Sequence, residues 1–283
     1  MAVTLDKPTR VHGRLPRSVG FDRLLLFLAL LVLWQVLSWI AGPEVITSPP
    51  ATARKLAAII SAPDFVGHAY ETGRAFAAAL VISLLGGLVI GLALGFRRLA
   101  GEVAEPLLVA LYSIPKITLY PVILLLFGLG VSAKIAFGAI HGIIPVALFA
   151  MNAVRNIRGV HLRAARAMRL THLQIAIHVL VPATLPEIVA GFRLGFALTL
   201  LGTLIGEMFA SQRGIGYMLV QAMETNDTAT IMALALLLVT IATTASWALL
   251  RLSRPARQRT TLRDASTWRT QGELRKIQMR DRR

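Results

Sequence analysis

The stretch RAARAMRLTHLQIAIHVLVPATLPE, residues 163–187, decides the fold of this chain. It begins with three arginines at three-residue spacing (Arg163, Arg166 and Arg169), then becomes apolar, and two prolines close it. Long apolar segments flank it on both sides. Because residues at this spacing fall on one broad face of a helix, the pattern predicts a basic, water-facing helical loop between two membrane spans.

The composition of the whole chain points to a membrane protein. Of its 283 residues, 55% are hydrophobic, and the mean hydropathy is +0.66. A soluble domain is about 45–50% apolar. The net charge of +16 is typical of a nucleic-acid-binding protein, but aromatic residues do not interleave with the basic ones as a stacking surface requires. Nucleic acid is therefore disfavoured as a partner. The chain has no cysteine, which excludes disulfides, cysteine metal sites and thiol catalysis.

The apolar blocks predict an all-α polytopic membrane protein with about six transmembrane helices. A helix needs about 20 residues to cross the hydrocarbon core. The six candidate spans are 21–41, 74–96, 104–128, 132–152, 186–210 and 228–250. The first is too long for a secretory signal and is expected to stay as a span. The third contains Pro106, Pro115 and Pro121, which predict a broken helix. In the second, the glycines of LLGGLVIGLALG (84–95) are expected to let helices approach closely.

The positions of Lys and Arg set the orientation. Four regions on alternate sides of the spans hold 23 of the 30 basic residues: the N-terminus, the connections 97–105 and 152–185, and the tail from 251 onward. Basic loops face the cytoplasm, so both termini are predicted to be cytoplasmic. The expected parts are a cytoplasmic segment 1–20, a transmembrane domain 21–250 and a basic, headgroup-binding tail 251–283. Residues 42–73 are then external and include a short amphipathic helix.

The charge of the 163–187 stretch alone leaves two uses open. The hairpin either rests on anionic lipid headgroups or docks a partner protein. Thr171 is placed to cap a second short helix, THLQIAIHVLV. Pro182 and Pro186 are expected to end that helix before the next span begins.

The spacing within this stretch resembles the cytoplasmic signature E-A-A-x3-G-x9-I-x-L-P of permease subunits in binding-protein-dependent ABC importers. The matching positions are Arg163, Ala164, Ala165, Arg169, Val179, Val181 and Pro182. Two of them depart from the signature, since Arg163 stands for its Glu and Arg169 for its Gly. Further motifs in the same order resemble the nitrate, sulfonate and taurine branch. They are Gly191-Phe192-Arg193-Leu194, Gly206-Glu207-Met208, Gly214-Ile215-Gly216-Tyr217, and Ile114-Pro115 through Phe127-Gly128-Leu129-Gly130.

The resemblance implies the architecture of a type I ABC importer permease and a set of partners. In that family the matching loop, 155–182 here, is the coupling region that fits a cleft on an ATP-binding subunit. A second permease copy, as a homodimer, would line the path with this one, and an external solute-binding protein would deliver the cargo. This chain has no phosphate-binding loop, so it is expected to be no enzyme and to bind no cofactor itself. ATP and Mg²⁺ would bind the partner ATPase. The implied location is the bacterial inner membrane.

Candidates for contact with the solute are polar residues inside the spans. They are Tyr112, Ser113, Lys116, Tyr120 and His141. Lys116 follows Pro115 in the broken helix, where it either lines a cavity or reaches the membrane interface. A buried, hydrogen-bonded structural role is favoured for His141. Glu207, near the outer end of its span, either caps the 211–217 turn or pairs across the dimer. The set suits a small anionic or organic solute such as nitrate, a sulfonate or taurine, with a pyrimidine vitamin precursor as the alternative.

Two other classes of protein fit the sequence less well. An ion-coupled secondary transporter predicts inverted repeats and carboxylates deep within spans, and Glu207 is the only such acid here. An intramembrane enzyme predicts a motif such as H-E-x-x-H or G-x-S-x-G, and neither occurs.

Overall fold

The computed structural model describes residues 19–157, 159–248 and 251, and this part of the chain is helical, without strands. The helices are α1 (Val19–Ala41), α2 (Pro49–Ser61), α3 (Pro63–Phe96), α4 (Arg98–Ser113), α5 (Tyr120–Phe127), α6 (Val131–Arg155), α7 (Gly159–Ala167), α8 (His172–Ile175), α9 (Val181–Ala210), α10 (Ile215–Glu224) and α11 (Thr228–Ala248). A 3₁₀ turn, Lys116–Leu119, precedes α5, and a π-helical turn, Ala176–Leu180, joins α8 to α9.

The prediction of about six spans, one of them broken, is confirmed. Among the described residues, five helical stretches are long and apolar enough to cross a membrane, namely α1, α3, α6, α11 and the stretch Leu173–Phe209 that contains most of α9. The third predicted span is α4 followed by Lys116–Phe127, with a bend of 87° between them. Ile114 before the proline is extended, with φ −65° and ψ 133°, as expected of a residue that precedes proline. The chain therefore leaves the α4 axis at Pro115.

The expectation that Pro182 and Pro186 stop the hairpin helix is wrong. Pro182 lies in the first turn of α9 and Pro186 lies inside that helix. A proline is tolerated in the first turn of a helix, where its fixed φ of about −65° suits the helical backbone. Leu180, just before α9, keeps helical dihedral angles (φ −70°, ψ −53°), so helical structure continues from the hairpin through the π turn into the span.

Of the two predicted terminal segments, residues 1–18 and 252–283 lie outside the described residues. The predicted external helix within 42–73 is present as α2. The helix α3 begins at Pro63, eleven residues before the predicted start of its span at 74. Its 34 residues span about 51 Å, which exceeds the hydrocarbon thickness of about 30 Å.

A stripe of small residues joins α3 to α6. The buried positions on this face of α3 recur every fourth residue: Ala75, Ala79, Ser83, Gly87, Gly91 and Gly95. A Cβ atom at Gly87 would lie 2.6 Å from Cβ of Val146, and one at Gly95 would lie 3.0 Å from the Met151 carbonyl oxygen. Only glycine allows backbones this close, so the predicted role of the LLGGLVIGLALG glycines is confirmed.

The helix α9 packs on the same pair of helices through hydroxyl groups. The Thr199 hydroxyl donates to Ser83 Oγ (2.9 Å), and the Ser83 hydroxyl donates to the Ala139 carbonyl (3.2 Å). These side chains lie where a Cβ on Gly142 would be. Buried hydroxyls with partners hold helices together without leaving an unsatisfied polar atom. The helices α3, α6 and α9 therefore form one tight core.

By contrast, α1 and α11 lie at the periphery, with large apolar side chains exposed. The helix α1 is fixed to the segment before α2 by two hydrogen bonds. Trp34 Nε1 donates to the Thr47 carbonyl (3.0 Å), and the Ser38 hydroxyl donates to the Ile46 carbonyl (2.8 Å). Exposed apolar surface of this kind is what lipid or another membrane helix covers.

Adjacent glycines in α3 give a matched test of the close packing. Gly87→Ala places a methyl group against Val146 and the Ile143 carbonyl, and we expect it to lower the free energy of unfolding by about 1–3 kcal/mol. Gly86→Ala meets Ile143 Cγ1 only at 3.8 Å, so it is expected to be neutral or stabilising by up to about 1 kcal/mol. Thermal unfolding of the two purified variants in detergent measures the difference. Equal melting temperatures would contradict the packing.

Candidate functional site

The predicted coupling hairpin consists of α7, a tight turn and α8. Arg169 lies in this turn with a φ of +54°, in the left-handed region. The amide of Leu170 donates to the Ala165 carbonyl (3.2 Å), and the amide of Met168 donates to the Ala164 carbonyl (3.0 Å). The bond from Leu170 back to Ala165, with a left-handed residue between, is the Schellman motif that ends many helices.

This geometry explains the glycine of the family signature. The C′ position of a Schellman motif is usually glycine, because any Cβ there is strained by about 1 kcal/mol or more. In this chain Arg169 occupies that position. The departure from the signature therefore falls at a backbone position that disfavours arginine, which the sequence spacing alone did not reveal.

The second arm of the hairpin begins with a capping box, which confirms the expected cap at Thr171. The Thr171 amide donates to Gln174 Oε1 (2.9 Å), and the Gln174 amide donates to Thr171 Oγ1 (3.3 Å). Ala165 is fully buried in α7, which packs on the π turn. The other predicted coupling residues are half-buried at Val179 and exposed at Arg163, Ala164, Arg169, Val181 and Pro182. The hairpin thus buries one small side chain, Ala165, and exposes two arginines, Arg163 and Arg169.

A buried ionic network lies at the opposite end of the core, and we call this the network end. Glu207 in α9 is fully buried, and Lys134 in the first turn of α6 is 2% exposed. Lys134 Nζ lies 3.3 Å from Glu71 Oε1 and 3.8 Å from Glu207 Oε1. It also donates to the Arg213 carbonyl (3.1 Å). Buried charges persist only when they are paired and hydrogen-bonded, as these are.

Glu207 also caps the turn between α9 and α10, which was one of the two roles expected for it from the sequence. Its Oε2 accepts the Gly216 amide (3.0 Å), and the Thr72 hydroxyl donates to the carboxylate at 2.8 and 2.9 Å. Thr72 Oγ1 accepts the Ile215 amide (2.8 Å) in turn. A Cβ on Gly214 would overlap the Glu207 carboxyl group. The network therefore holds the turn and α10 on α3.

The burial of Lys134 was not predicted, because a lysine near the end of a span is typical of an exposed loop charge. One indication of it lies in the sequence around Glu207. Gly206 packs directly against Lys134: if Gly206 had a Cβ atom, that atom would lie 3.1 Å from Lys134 Cα. A glycine beside an acid at the end of one span allows a lysine of another span to reach that acid.

Two cavities mark the ends of the core. The one at the network end measures about 560 Å³ and is lined by Glu71, Lys134, Phe209 and Arg213, among others. The one at the hairpin end measures about 780 Å³. An ion pair between Arg155 Nη1 and Glu105 Oε2 (2.5 Å) lies in its wall.

Asp227 fixes the start of α11 beside α2. Hydrogen bonds from the Thr230 hydroxyl (2.6 Å) and amide (3.0 Å) lower the pKa of the Asp227 carboxyl to about 2, and Lys55 Nζ at 3.1 Å adds to the effect. Because this pKa lies below that of an unfolded Asp, the contribution to stability is complete above about pH 4 and is lost as the pH falls through 2.

Of the candidates for solute contact, the structure brings three together and places two in the core. Lys116 Nζ donates to the Tyr112 carbonyl (3.0 Å) and lies 5.0 Å from the Tyr112 ring, beside the exposed Ser113. The Tyr120 hydroxyl donates to the Gly206 carbonyl (2.9 Å). His141 is buried and its Nδ1 bonds to the Phe137 carbonyl (2.8 Å), as expected of a structural histidine. A role for these residues in solute passage stays a prediction.

Membrane-length helices around a core of small residues, one of them broken, are the architecture of a multi-pass membrane protein. The chain belongs to the family of binding-protein-dependent transport system inner membrane components, whose model matches residues 83–258. The matched region runs from the middle of α3 past α11 and includes the hairpin, Lys134 and Glu207, whereas Glu71 and Thr72 precede it.

Individual relatives agree with this assignment. A probable ABC transporter permease protein of Haemophilus influenzae is 29% identical over 77% of this chain and 89% of its own length. A putative aliphatic sulfonates transport permease protein of Bacillus subtilis is 27% identical, over 72% of this chain and 75% of its own. The taurine transport system permease protein TauC of Escherichia coli is 26% identical, over 79% and 86%.

A solved structure shows the same fold. A chain of the MetNI methionine ABC transporter, in an inward-facing conformation, superposes with a TM-score of 0.58 at 21% identity. The alignment covers 68% of this chain and 95% of that one. The predicted type I importer architecture is confirmed.

Glu207→Gln tests the buried network. The substitution removes the charge that faces Lys134 and turns one acceptor for the Gly216 amide or the Thr72 hydroxyl into a donor. We expect a loss of about 3 kcal/mol in the free energy of unfolding. Glu71→Gln is the matched control, because Glu71 is 18% exposed and solvent lowers the cost of its change. Unfolding in detergent and proteolysis at residues 211–217 measure the effect. A Glu207→Gln protein as stable as the wild type would contradict the assignment.

Arg169→Gly tests the left-handed turn. We expect it to stabilise the hairpin by about 1 kcal/mol, because glycine adopts a φ of +54° without Cβ strain. Slower amide hydrogen exchange at residues 164–170 is the readout. Arg163→Gly, inside α7, is the control and is expected to speed exchange, since glycine costs about 1 kcal/mol in a helix. Faster exchange in Arg169→Gly would show that the turn is not strained.

Proposed function

We propose that this chain is the path-forming subunit of an ATP-driven importer for a small anion of the sulfonate, taurine or nitrate class. The observation that supports it best is the hairpin at residues 159–180, which projects between α6 and α9 with the spacing of the family's coupling region. The family assignment supplies the transport class. The sulfonate and taurine relatives supply the class of solute.

The proposal assigns ATP hydrolysis to a separate subunit. The hairpin docks on that ATP-binding subunit, which holds ATP and Mg²⁺, while this chain binds neither and has no enzymatic activity. An external solute-binding protein delivers the solute at the network end. A second copy of this chain completes the path as a homodimer.

The same proposal places the protein in the inner membrane with both termini in the cytoplasm. Exposed Arg97, Arg163 and Arg169 lie at the hairpin end, in agreement with the rule that basic loops face the cytoplasm. The transmembrane domain is 21–250, the coupling loop is 155–182, and the basic tail is 251–283.

Transport in this scheme is a rigid-body change. The contact of α3 with α6 is too close to slide, because the backbones approach closely at Gly87, Gly91 and Gly95, and α9 is tied to α3 by the hydrogen bond from Thr199 to Ser83. Movement imposed at the hairpin is therefore carried by the core as a unit to the network end. The bend at Pro115 lets α4 and α5 line the path separately from that unit.

The experiment is uptake into proteoliposomes that contain the permease, its ATP-binding subunit and the binding protein. We expect ATP-dependent uptake of a radiolabelled sulfonate, taurine or nitrate and none of a pyrimidine. Lys116→Gln is expected to reduce this uptake about tenfold or more, because a cation on the path is lost, while Lys116→Arg keeps most of it. Uptake of the pyrimidine alone would reject the anion class. Uptake without any ATP-binding subunit would reject the importer.

A further inference from the structure

The hairpin surface carries positive charge without any compensating acid. Residues 156–186 contain four arginines and three histidines and not one Asp or Glu. Elsewhere at the same end of the core, carboxylates neutralise arginines. Arg155 pairs with Glu105 at 2.5 Å, and Arg98 pairs with Glu102 at 3.0 Å. Among the described residues at this end, the unneutralised arginines are therefore concentrated in the hairpin, with Arg97 as one outside it.

Two hairpin arginines have side chains that bind no group among the residues the structure describes. Arg163 and Arg169 are exposed, and within the described ranges neither guanidinium has a hydrogen-bond or ion-pair partner. Arg169 moreover occupies a left-handed position where glycine is preferred, so its presence costs stability. A residue kept at a cost to the fold, with its charge directed outward, is expected to serve a contact outside the chain.

The surface fits a protein cleft better than a bilayer. A helix that lies in the membrane interface needs bulky apolar anchors on one face. The helix α7, GVHLRAARA, has no Phe, Tyr, Trp or Met, and its Ala165 is buried against this chain. Among its described side chains, the exposed side holds one large apolar residue, Val160, together with Arg163 and Ala164. The other exposed apolar side chains of the hairpin, Met168, Leu173 and Ile177, lie in the turn and the second arm. Small side chains flanked by guanidinium groups suit close docking with bidentate contacts to carboxylates.

We propose that the hairpin docks in a carboxylate-lined cleft of the ATP-binding subunit, with Arg163 and Arg169 as the charged contacts. This inference rests on the proposed function and adds the chemistry of the partner surface. At the first signature position the sign of the charge is opposite to that of the family Glu. The pair is therefore specific, and an ATP-binding subunit adapted to an acidic hairpin is expected to bind this permease weakly.

The test separates docking from folding with the double variant Arg163→Glu/Arg169→Gly, which carries the signature residues at both positions. We expect it to melt no lower than the wild type, because glycine relieves the turn, yet to bind the cognate ATP-binding subunit about tenfold more weakly or worse. Binding is measured in lipid-free detergent between low and high salt, where wild-type affinity is expected to fall with salt. Arg97→Glu, an exposed arginine at the same end outside the hairpin, is the matched control and is expected to bind as the wild type does.

A second measurement identifies the contact surface. Because the chain has no cysteine, Arg163→Cys gives a unique site for a photo-crosslinker. Adducts with an Asp- and Glu-rich segment of the ATP-binding subunit are expected. Adducts with lipid alone, adducts with a segment that lacks carboxylates, or undiminished binding by the double variant would each overturn the carboxylate cleft while leaving the importer in place. Failure of the wild-type permease to bind any ATP-binding subunit would instead reject the proposed function itself.

Discussion

Backbone contact between α3 and α6 sets the geometry of the rest of the molecule. Inside a bilayer there is no hydrophobic gain from pairing apolar helices, so association depends on close packing and on hydrogen bonds. The stripe through Gly87, Gly91 and Gly95 supplies the first, and the Ser83–Thr199 bond that ties in α9 supplies the second. With these helices in register, Lys134, Glu71 and Glu207 meet at one end, and the hairpin is placed at the other.

The two ends of the core use charge in opposite ways. At the network end, a lysine and two glutamates are withdrawn from water and satisfy one another, which fixes the turn before α10. At the hairpin end, Arg163 and Arg169 are exposed, and neither has an acidic partner within the described part of the chain. The first arrangement gives a rigid local structure, whereas the second leaves binding free energy available to a partner. A transport subunit that must pass movement from one end to the other needs both properties.

Much of this fold could be predicted from the sequence. Apolar length gave the spans, Pro115 gave the break, and the spacing of Thr171 and Gln174 is that of the cap that forms. These features are local, so residue order is enough to define them. Burial of Lys134 was missed because it depends on partners 63 and 73 residues away in the chain, Glu71 and Glu207. The left-handed turn at Arg169 was missed because arginine is not a residue that indicates one. The helix end predicted at Pro182 was wrong because proline is compatible with a first helical turn as well as with a helix end.

The length of α3 has a mechanical consequence. With 34 residues it is about 20 Å longer than the hydrocarbon is thick, so one or both of its ends must stand clear of the lipid. The Thr72 end is clamped to α9 and α10, and the Gly95 end is pressed against α6 near the start of the hairpin. Because both ends are fixed to neighbouring helices, a tilt of α3 is expected to displace its two ends in opposite directions and to carry α6 and α9 with it.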